Sequence, residues 1–272
     1  MILELIKSLI LGIVQGITEW LPVSSTGHML LVDEFLQLNF PKDFTDMFFV
    51  VIQFGSILAV LVLYFDKLNP FSKNKNEKQK RQTWSLWEKV IIACIPAGVV
   101  GVLFDDLIHD LLYGPTVIAV ALIVYGILFI VLENSHPTPT TTSLESLSFK
   151  KAFCVGVFQM LSLIPGTSRS GSTILGAVFL GCDRSVAAEF SFFLAIPVML
   201  GASGLKMVKY GLNYTGAQIA VMLIGTITAF IVSVFVIRFL MNYIRKHDFK
   251  VFGYYRIILG VLVLLYFGLI AK

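Results

Sequence analysis

The chain has 272 residues, of which 57% are hydrophobic and 14% are charged, and its mean hydropathy is +0.84. A soluble domain carries about 25% charged residues, so the composition excludes an ordinary soluble protein and indicates a polytopic protein embedded among membrane lipids. The net charge is +4, and the basic residues lie in short loops between apolar runs. The positive-inside rule explains this distribution, so the charge does not indicate a nucleic-acid partner. The three cysteines lie within or beside apolar runs and are expected to be inert buried thiols.

The chain begins with a helix that breaks before it can cross a bilayer. Residues 1–21 are apolar apart from a few polar side chains, and Pro22 then ends the helix because it lacks a backbone N–H. Residues 25–38 resume a helix of about 14 residues, too short to span. Two short helices around a polar elbow predict a re-entrant hairpin, which membranes tolerate only inside protein or beside a water-filled cavity. The first residues lack the basic segment of a cleavable signal peptide, so we expect none.

A second broken hairpin and about six long apolar runs follow. The hairpin occupies about residues 150–182 and repeats the order of the first: apolar helix, proline, small hydroxyl residues, apolar helix. We therefore predict an all-α fold of about six transmembrane helices and two re-entrant hairpins, in one integral membrane domain covering residues 1–272. The apolar runs lie near residues 44–65, 87–104, 115–132, 186–205, 216–240 and 252–270.

The charges of the loops orient these spans. Basic loops at 66–85, 133–151 and 241–251 are expected in the cytoplasm, which leaves the acidic segments at 33–46 and 105–110 outside. Both chain termini then face outward. The first hairpin enters from the outside and the second from the cytoplasmic side, as in an inverted-topology repeat.

An internal sequence similarity also favours such a repeat. The pattern Gly-x-x-Gln that ends at Gln15 recurs ending at Gln159, and a proline elbow follows each copy. The predicted pseudo-repeats cover about residues 1–132 and 149–272. We name the two polar turns the first elbow (residues 15–28) and the second elbow (residues 159–173).

The first elbow carries polar groups suited to a metal ion. Gln15 and Glu19 are four residues apart, so they share a helix face one turn apart. A carboxylate within a membrane segment is costly and indicates a function by default. The two side chains would offer oxygen ligands to a hard divalent cation, Mg²⁺ or Ca²⁺, or would instead cap the re-entrant turn.

Hydroxyl residues and a histidine follow the proline of the first elbow. Ser24, Ser25 and Thr26 open the next helix, where hydroxyls are ordinary N-caps and where free backbone N–H groups also favour an anion. His28 lies three residues after Ser25, on the same helix face. The two would form an activated nucleophile, or His28 would act as a general acid, or it is simply hydrogen-bonded in place.

The second elbow adds a cation. Ser168, Arg169 and Ser170 lie just after Pro165. Arginine stays charged, and its planar fork suits phosphate oxygens. The anion that Arg169 needs is either Glu19, in a structural salt bridge, or a substrate phosphate, and we expect phosphate. The two serines would donate to phosphate or cap the helix.

Together these residues predict phosphoryl chemistry on a lipid, in which electrostatic positioning does most of the work. The rival interpretation is a lipid or anion transporter, because broken helices that meet at mid-membrane are transporter architecture. The set of Glu19, Ser25 and His28 discriminates between the two, since a carrier needs Arg169 but no nucleophile and base.

Two long motifs resemble the signatures of a known family. Residues 19–28 read Glu-Trp-Leu-Pro-Val-Ser-Ser-Thr-Gly-His, with Gln15 before them, and residues 165–173 read Pro-Gly-Thr-Ser-Arg-Ser-Gly-Ser-Thr. Both are similar to motifs of the bacitracin-resistance type undecaprenyl-diphosphate phosphatases, and the resemblance covers essentially the whole chain. The motifs of type-2 phosphatidic acid phosphatases are absent, since no histidine follows Arg169 before His247.

The resemblance implies an integral hydrolase of the bacterial cytoplasmic membrane. Such an enzyme removes the terminal phosphate of undecaprenyl diphosphate, recycles this carrier lipid for peptidoglycan synthesis, and gives bacitracin resistance. The resemblance also implies dependence on a divalent cation (Mg²⁺ or Ca²⁺), a site open to the outer face of the membrane, and frequent homodimerisation.

The same resemblance assigns roles by position. Gln15 and Glu19 fill a metal-binding Glu/Gln-x-x-x-Glu pair, and Ser25 and His28 fill the places of the reactive serine and histidine. Arg169 fills the place of the phosphate-binding arginine, and it is expected to be catalytic together with Glu19, Ser25 and His28. The residues expected to bind the substrate phosphates are Ser24, Thr26, Ser168, Arg169 and Ser170.

Overall fold

A computed structural model of the protein describes residues 1–135, 138–210 and 214–270. Within these ranges it describes the backbone and not the side chain at positions 105, 106, 109, 202, 205–210, 269 and 270. The described residues are almost entirely helical and include no named strand, only an isolated bridge between Thr141 and Cys182. The all-α prediction is confirmed.

The helices of the first half are α1 Ile2–Thr18, α2 Ser25–Phe35, α3 Lys42–Leu63, α4 Phe65–Leu68, α5 Glu77–Leu112 and α6 Pro115–Asn134. Those of the second half are α7 Phe149–Met160, a 3₁₀ turn Leu161–Leu163, α8 Arg169–Phe179, α9 Arg184–Tyr210, α10 Gly216–Ile244, α11 Lys250–Leu265 and a π-helical turn Tyr266–Ile270. Among the described residues, six helices are long and apolar enough to cross a membrane, which confirms the predicted number: α3, α5, α6, α9, α10 and α11.

The helix α5 is longer at both ends than the sequence indicated. The predicted span 87–104 lies inside one helix from Glu77 to Leu112, so part of the predicted basic loop and the acidic segment at 105–110 are helical. The first turns are rich in Lys, Arg, Gln and Glu, which are good helix formers, and Lys80 donates to the Glu77 carboxylate at 2.9 Å. The side chains of the aspartates at 105 and 106 lie outside the described residues.

Both predicted broken hairpins are present. In the first, α1 and α2 flank a turn, and in the second, α7 and α8 do so. Each turn ends at a serine in the left-handed region, Ser24 with φ 73° and Ser168 with φ 74°. Each of these serines accepts a hydrogen bond from the backbone N–H three residues on, at Gly27 and Gly171. Non-glycine residues in this region cost about 1–3 kcal/mol and concentrate at functional sites.

The short first helix of each hairpin packs against a long helix from the other half of the chain. The helix α1 contacts α10, and α7 contacts α5. Glycines allow both approaches: a Cβ at Gly12 would lie 2.6 Å from the carbonyl oxygen of Gly225, and a Cβ at Gly156 would collide with that of Ala93. Small residues at such contacts bring membrane helices close together. These contacts hold the two elbows in the interior of the bundle.

Candidate active site

The carboxylate of Glu19 lies at the centre of the site. Glu19 caps the C-terminal end of α1, one turn beyond Gln15, whose Nε2 donates to Glu19 Oε2 at 3.1 Å. Both residues are buried. The two side chains therefore share one face of the helix end, as their spacing predicted, and the carboxylate of Glu19 lies inside the protein, where it needs partners.

The first partner comes from the second elbow. Arg169, the first residue of α8, donates from Nη2 to Glu19 Oε1 at 3.1 Å. Its Nη1 donates to the Ser191 carbonyl oxygen at 2.7 Å, and its guanidinium lies over the Trp20 ring at 5.7 Å. In this structure the anion that faces Arg169 is Glu19, which is the salt-bridge alternative that the sequence left open. Binding of phosphate by Arg169 stays a prediction.

The second partner of the carboxylate is Ser25. Its Oγ donates to Glu19 Oε2 at 3.2 Å, whereas the sequence suggested a pairing of Ser25 with His28. A carboxylate that accepts the hydroxyl proton is placed to act as a general base toward that hydroxyl. The geometry therefore points to Glu19 as the base for Ser25.

His28 has other partners than Ser25 and Glu19. Its Nδ1 lies 2.7 Å from the Ser24 carbonyl oxygen and its Nε2 lies 2.6 Å from the hydroxyl of Tyr255. The His28 and Tyr255 rings stack with centroids 5.5 Å apart. The sequence did not single out Tyr255, because an aromatic residue in an apolar span is by default a packing or lipid-facing residue.

The hydroxyls of the second elbow link the two turns. Ser170 Oγ donates to the backbone carbonyl oxygens of Glu19 at 3.1 Å and Leu21 at 3.3 Å. The hydroxyl oxygens of Ser168 and Ser170 lie 3.1 Å apart. Ser24 and Ser168 serve as the N-caps of α2 and α8, the structural alternative for both. Thr26 is half-buried, with no hydrogen bond from its side chain to the described residues. A direct contact of these four hydroxyls with phosphate stays a prediction.

A second buried arginine joins the elbows. Arg256 of α11 is fully buried. It donates to the carbonyl oxygens of Pro22 in the first elbow at 3.1 Å, and of Gly166 and Thr167 in the second at 2.9 and 2.8 Å. The sequence reasoning missed it, although a lone arginine within an apolar span is by itself a signal of function or structure.

The oxygen ligands for a divalent cation are few. The described residues contain no cluster of three or more His, Cys, Asp or Glu side chains. The site offers the Glu19 carboxylate, the Gln15 amide oxygen and the Ser25 hydroxyl, all hard oxygen donors of the kind that Mg²⁺ and Ca²⁺ prefer. Mg²⁺ sites commonly combine one or two carboxylates with substrate phosphates and water. The donor set therefore fits a cation that binds together with a phosphate substrate.

Glu189, near the start of α9, lies outside this site. Both of its carboxylate oxygens accept from Lys67 Nζ, at 2.7 and 2.8 Å. The pair lies among charged side chains of the loop and helix ends that follow α3. The ion pair of Glu189 and Lys67 is therefore separate from the site around Glu19.

The chain is similar to known proteins over nearly its whole length. A family model described as "Bacitracin resistance protein BacA" matches residues 8–262. The undecaprenyl-diphosphatase 1 of Clostridioides difficile (strain 630) is 62% identical over 269 residues, which cover 99% of this chain and 98% of that protein. The undecaprenyl-diphosphatases of Enterococcus faecalis and Desulfitobacterium hafniense (strain DSM 10664 / DCB-2) are 58% and 56% identical, each over at least 97% of both chains.

Proposed function

Since the chain belongs to the bacitracin resistance protein BacA family, we propose that its two elbows form the site at which it hydrolyses undecaprenyl diphosphate to undecaprenyl phosphate and inorganic phosphate. One observation carries this proposal: Glu19 bonds both to Ser25, the proposed nucleophile, and to Arg169, the proposed phosphate-binding cation. Base, nucleophile and anion-binding group thus meet on one carboxylate. The product is the carrier lipid that cell-wall synthesis reuses, and its regeneration fits the family's association with bacitracin resistance.

Substrate binding begins at Arg169. Its Nη2 is bonded to Glu19, and its Nε is buried without a hydrogen-bond partner among the described residues. An arriving phosphate offers this guanidinium more oxygen atoms and more charge than one carboxylate does. The phosphate therefore replaces Glu19 on Arg169, and Glu19 Oε1 is released when the substrate is in place.

The freed carboxylate can then activate Ser25. The hydroxyl proton passes to Glu19, Ser25 Oγ forms a bond to the terminal phosphorus, and the bond from that phosphorus to the bridging oxygen breaks. Undecaprenyl phosphate leaves. In the second step water gives a proton to His28 and attacks the phosphorus, the bond from that phosphorus to Ser25 Oγ breaks, and Ser25 takes its proton back from Glu19. Inorganic phosphate departs, and His28 releases its proton to water. Arg169 stabilises the charge on the phosphate oxygens in both steps.

We propose that a divalent cation, Mg²⁺ or Ca²⁺, assists at the same place. Glu19, Gln15 and Ser25 would hold it with their oxygen atoms, and it would neutralise negative charge on the diphosphate. The Gln15 amide and the Glu19 carboxylate lie one helical turn apart and are already hydrogen-bonded, with Gln15 Nε2 3.1 Å from Glu19 Oε2. A flip of the Gln15 amide turns its oxygen toward the carboxylate side.

Replacing the nucleophile tests this reaction. We expect Ser25→Ala to lower phosphate release from undecaprenyl diphosphate about 10²- to 10⁴-fold in detergent, since the step that it removes forms the first bond. Ser162→Ala is the matched control, because the Ser162 hydroxyl lies in the second elbow and, among the described residues, donates only to the Gln159 carbonyl oxygen. Near-normal turnover of Ser25→Ala would exclude the covalent step and leave direct attack by water with His28 as the base.

The proposal also covers the repeat within the fold and the side of the membrane on which the site opens. Two left-handed serine caps and the exchange of short helices between halves support an inverted-topology repeat. We place the site open to the outer face of the bacterial cytoplasmic membrane. Labelling of single cysteines introduced at residues 74 and 39 in intact cells tests this orientation, which requires label at 39 and none at 74. Homodimerisation stays a prediction that the mass of the detergent-solubilised protein checks.

The transporter alternative has one supporting feature, the pair of broken helices inside the bundle. A carrier of lipid phosphates would need Arg169. It would not need a serine hydroxyl that donates to a buried carboxylate, as Ser25 does at 3.2 Å. The contact between Ser25 and Glu19 therefore favours the hydrolase.

A further inference from the structure

The ring of His28 is hydrogen-bonded at both of its nitrogen atoms. Nδ1 lies 2.7 Å from the carbonyl oxygen of Ser24, and Nε2 lies 2.6 Å from the hydroxyl oxygen of Tyr255. A carbonyl oxygen only accepts, so Nδ1 carries a hydrogen. The neutral imidazole therefore has its lone pair on Nε2, and the Tyr255 hydroxyl donates to it.

Both anchors of the ring are themselves fixed. Ser24 is held in the left-handed region at φ 73° and caps α2, so the direction of its carbonyl group is set by the elbow. Tyr255 stands next to Arg256, which bonds to carbonyl oxygens of both elbows. The helix α11 is thus attached to the site at the residue that follows Tyr255, and the two rings lie nearly parallel, 5° apart.

We propose that Tyr255 is a positioning residue for the phosphatase reaction. Its hydroxyl holds the lone pair of His28 Nε2 toward the open side of the site, where Tyr255 itself is 45% exposed. The reacting water displaces the hydroxyl from Nε2 when it gives its proton to that nitrogen. A phenol hydroxyl donates to the neutral imidazole and accepts from the imidazolium, so Tyr255 can bond again to Nε2 after the transfer. The inference rests on the proposed role of His28 as the base.

The elbow alone supplies only one of the two anchors. A half-turn about the bond between Cβ and the ring would put ring carbon atoms in the places of both nitrogen atoms, and with the Ser24 bond alone it would cost a single hydrogen bond. The bond to Tyr255, on the opposite side of the ring, is a second hydrogen bond that such a turn must break. An error of about 1 Å in the placement of a reacting group lowers a rate on the order of 100-fold, so a loosely held base would be a poor one.

The test compares Tyr255→Phe with its neighbour. The phenylalanine keeps the stacked ring and loses only the hydroxyl. We expect kcat for undecaprenyl diphosphate to fall about 10- to 100-fold, with KM within about twofold because the contacts of Arg169 are untouched. Tyr254→Phe is the matched control, since Tyr254 is the adjacent tyrosine and is 55% exposed. Unchanged kcat in Tyr255→Phe would overturn the proposal.

A double-mutant cycle separates positioning from a general packing effect. If Tyr255 acts through His28, then adding Tyr255→Phe to His28→Ala leaves the rate of the single His28→Ala variant unchanged. The same loss in both backgrounds would show that Tyr255 acts independently of His28 and would contradict the proposal. Full activity of His28→Ala alone would remove the proposed base, and this outcome is distinguishable because it appears without any change at Tyr255.

Nitrogen NMR of histidine-labelled protein gives a readout that does not depend on turnover. In the wild type, the signals assigned to His28 by their loss in His28→Ala should show one N–H nitrogen and one lone-pair nitrogen. In Tyr255→Phe the signal of the lone-pair nitrogen should shift, because Nε2 loses the hydrogen bond that the Tyr255 hydroxyl donates. A lone-pair signal at its wild-type position in Tyr255→Phe would contradict the proposal.

Discussion

Arg256 offers a quantitative test of how the two elbows are held together. It is fully buried, and it donates at 3.1, 2.9 and 2.8 Å to three backbone carbonyl oxygens, one in the first elbow and two in the second. The substitution Arg256→Met keeps much of the side-chain volume and removes all of these bonds. Each polar contact between membrane helices contributes about 0.6–2 kcal/mol, so the loss of three bonds sums to about 2–6 kcal/mol.

The cost of burying the guanidinium in the wild type reduces this estimate of the destabilisation. Burial of a guanidinium without a carboxylate is itself costly, and an apolar side chain avoids that cost. The carbonyl oxygens of Pro22, Gly166 and Thr167 are left without their donor, however, and an unsatisfied buried acceptor costs about 1–3 kcal/mol. We therefore expect a net destabilisation of at least about 2 kcal/mol.

The assay is thermal unfolding in detergent together with phosphate release. Arg256→Met should unfold several degrees below the wild type, and its turnover should fall by more than its folded fraction, because the elbows separate before the bundle unfolds. Arg238→Met is the control, since Arg238 lies on an exposed position of α10. Equal unfolding temperatures and equal turnover for the wild type and Arg256→Met would refute the account of how the elbows are joined.

Three further predictions concern spacing, packing and the cation. Ser170→Ala removes a hydroxyl bonded to two carbonyl oxygens of the first elbow and should lower stability by about 1 kcal/mol and turnover about 10-fold. Gly156→Ala should destabilise the bundle by about 1–3 kcal/mol, because its Cβ would collide with the Ala93 carbonyl oxygen, whereas Gly98→Ala meets open space. Chelation should abolish phosphate release, and Gln15→Ala should raise the Mg²⁺ concentration for half-maximal rate about 10-fold.

For each of these three predictions, one result would contradict it. Wild-type turnover in Ser170→Ala would mean that the backbone carbonyl groups of the first elbow are placed without that hydroxyl. Equal unfolding temperatures for Gly156→Ala and Gly98→Ala would mean that α7 can move away from α5. Full phosphate release in excess chelator would remove the cation from the proposed mechanism.

Much of the fold could be predicted because its signals are local. Apolar runs of sufficient length predicted the six spans, and a proline between two short apolar runs predicted each hairpin. The extent of α5 was wrong, because charged helix formers continue a helix beyond the apolar run and hydropathy does not register them.

The partners within the site were harder to predict, because side-chain direction decides them. Ser25 and His28 do share a face of α2. Side chains on a helix lean toward its N-terminus, so Ser25, at the first turn, reaches back to Glu19, and His28 reaches the Ser24 carbonyl oxygen. Tyr255 lies 227 positions after His28 in the sequence. No local pattern carries that contact.

The most direct test of the central claim is phosphate release from undecaprenyl diphosphate by purified Glu19→Gln and Arg169→Gln, measured beside the wild type with Mg²⁺ present. The two residues come from different elbows and meet at 3.1 Å. If the elbows form one phosphatase site, each substitution should lower the rate at least about 100-fold while the protein remains folded. A wild-type rate in either variant would contradict the account, because that elbow would then contribute nothing to the reaction.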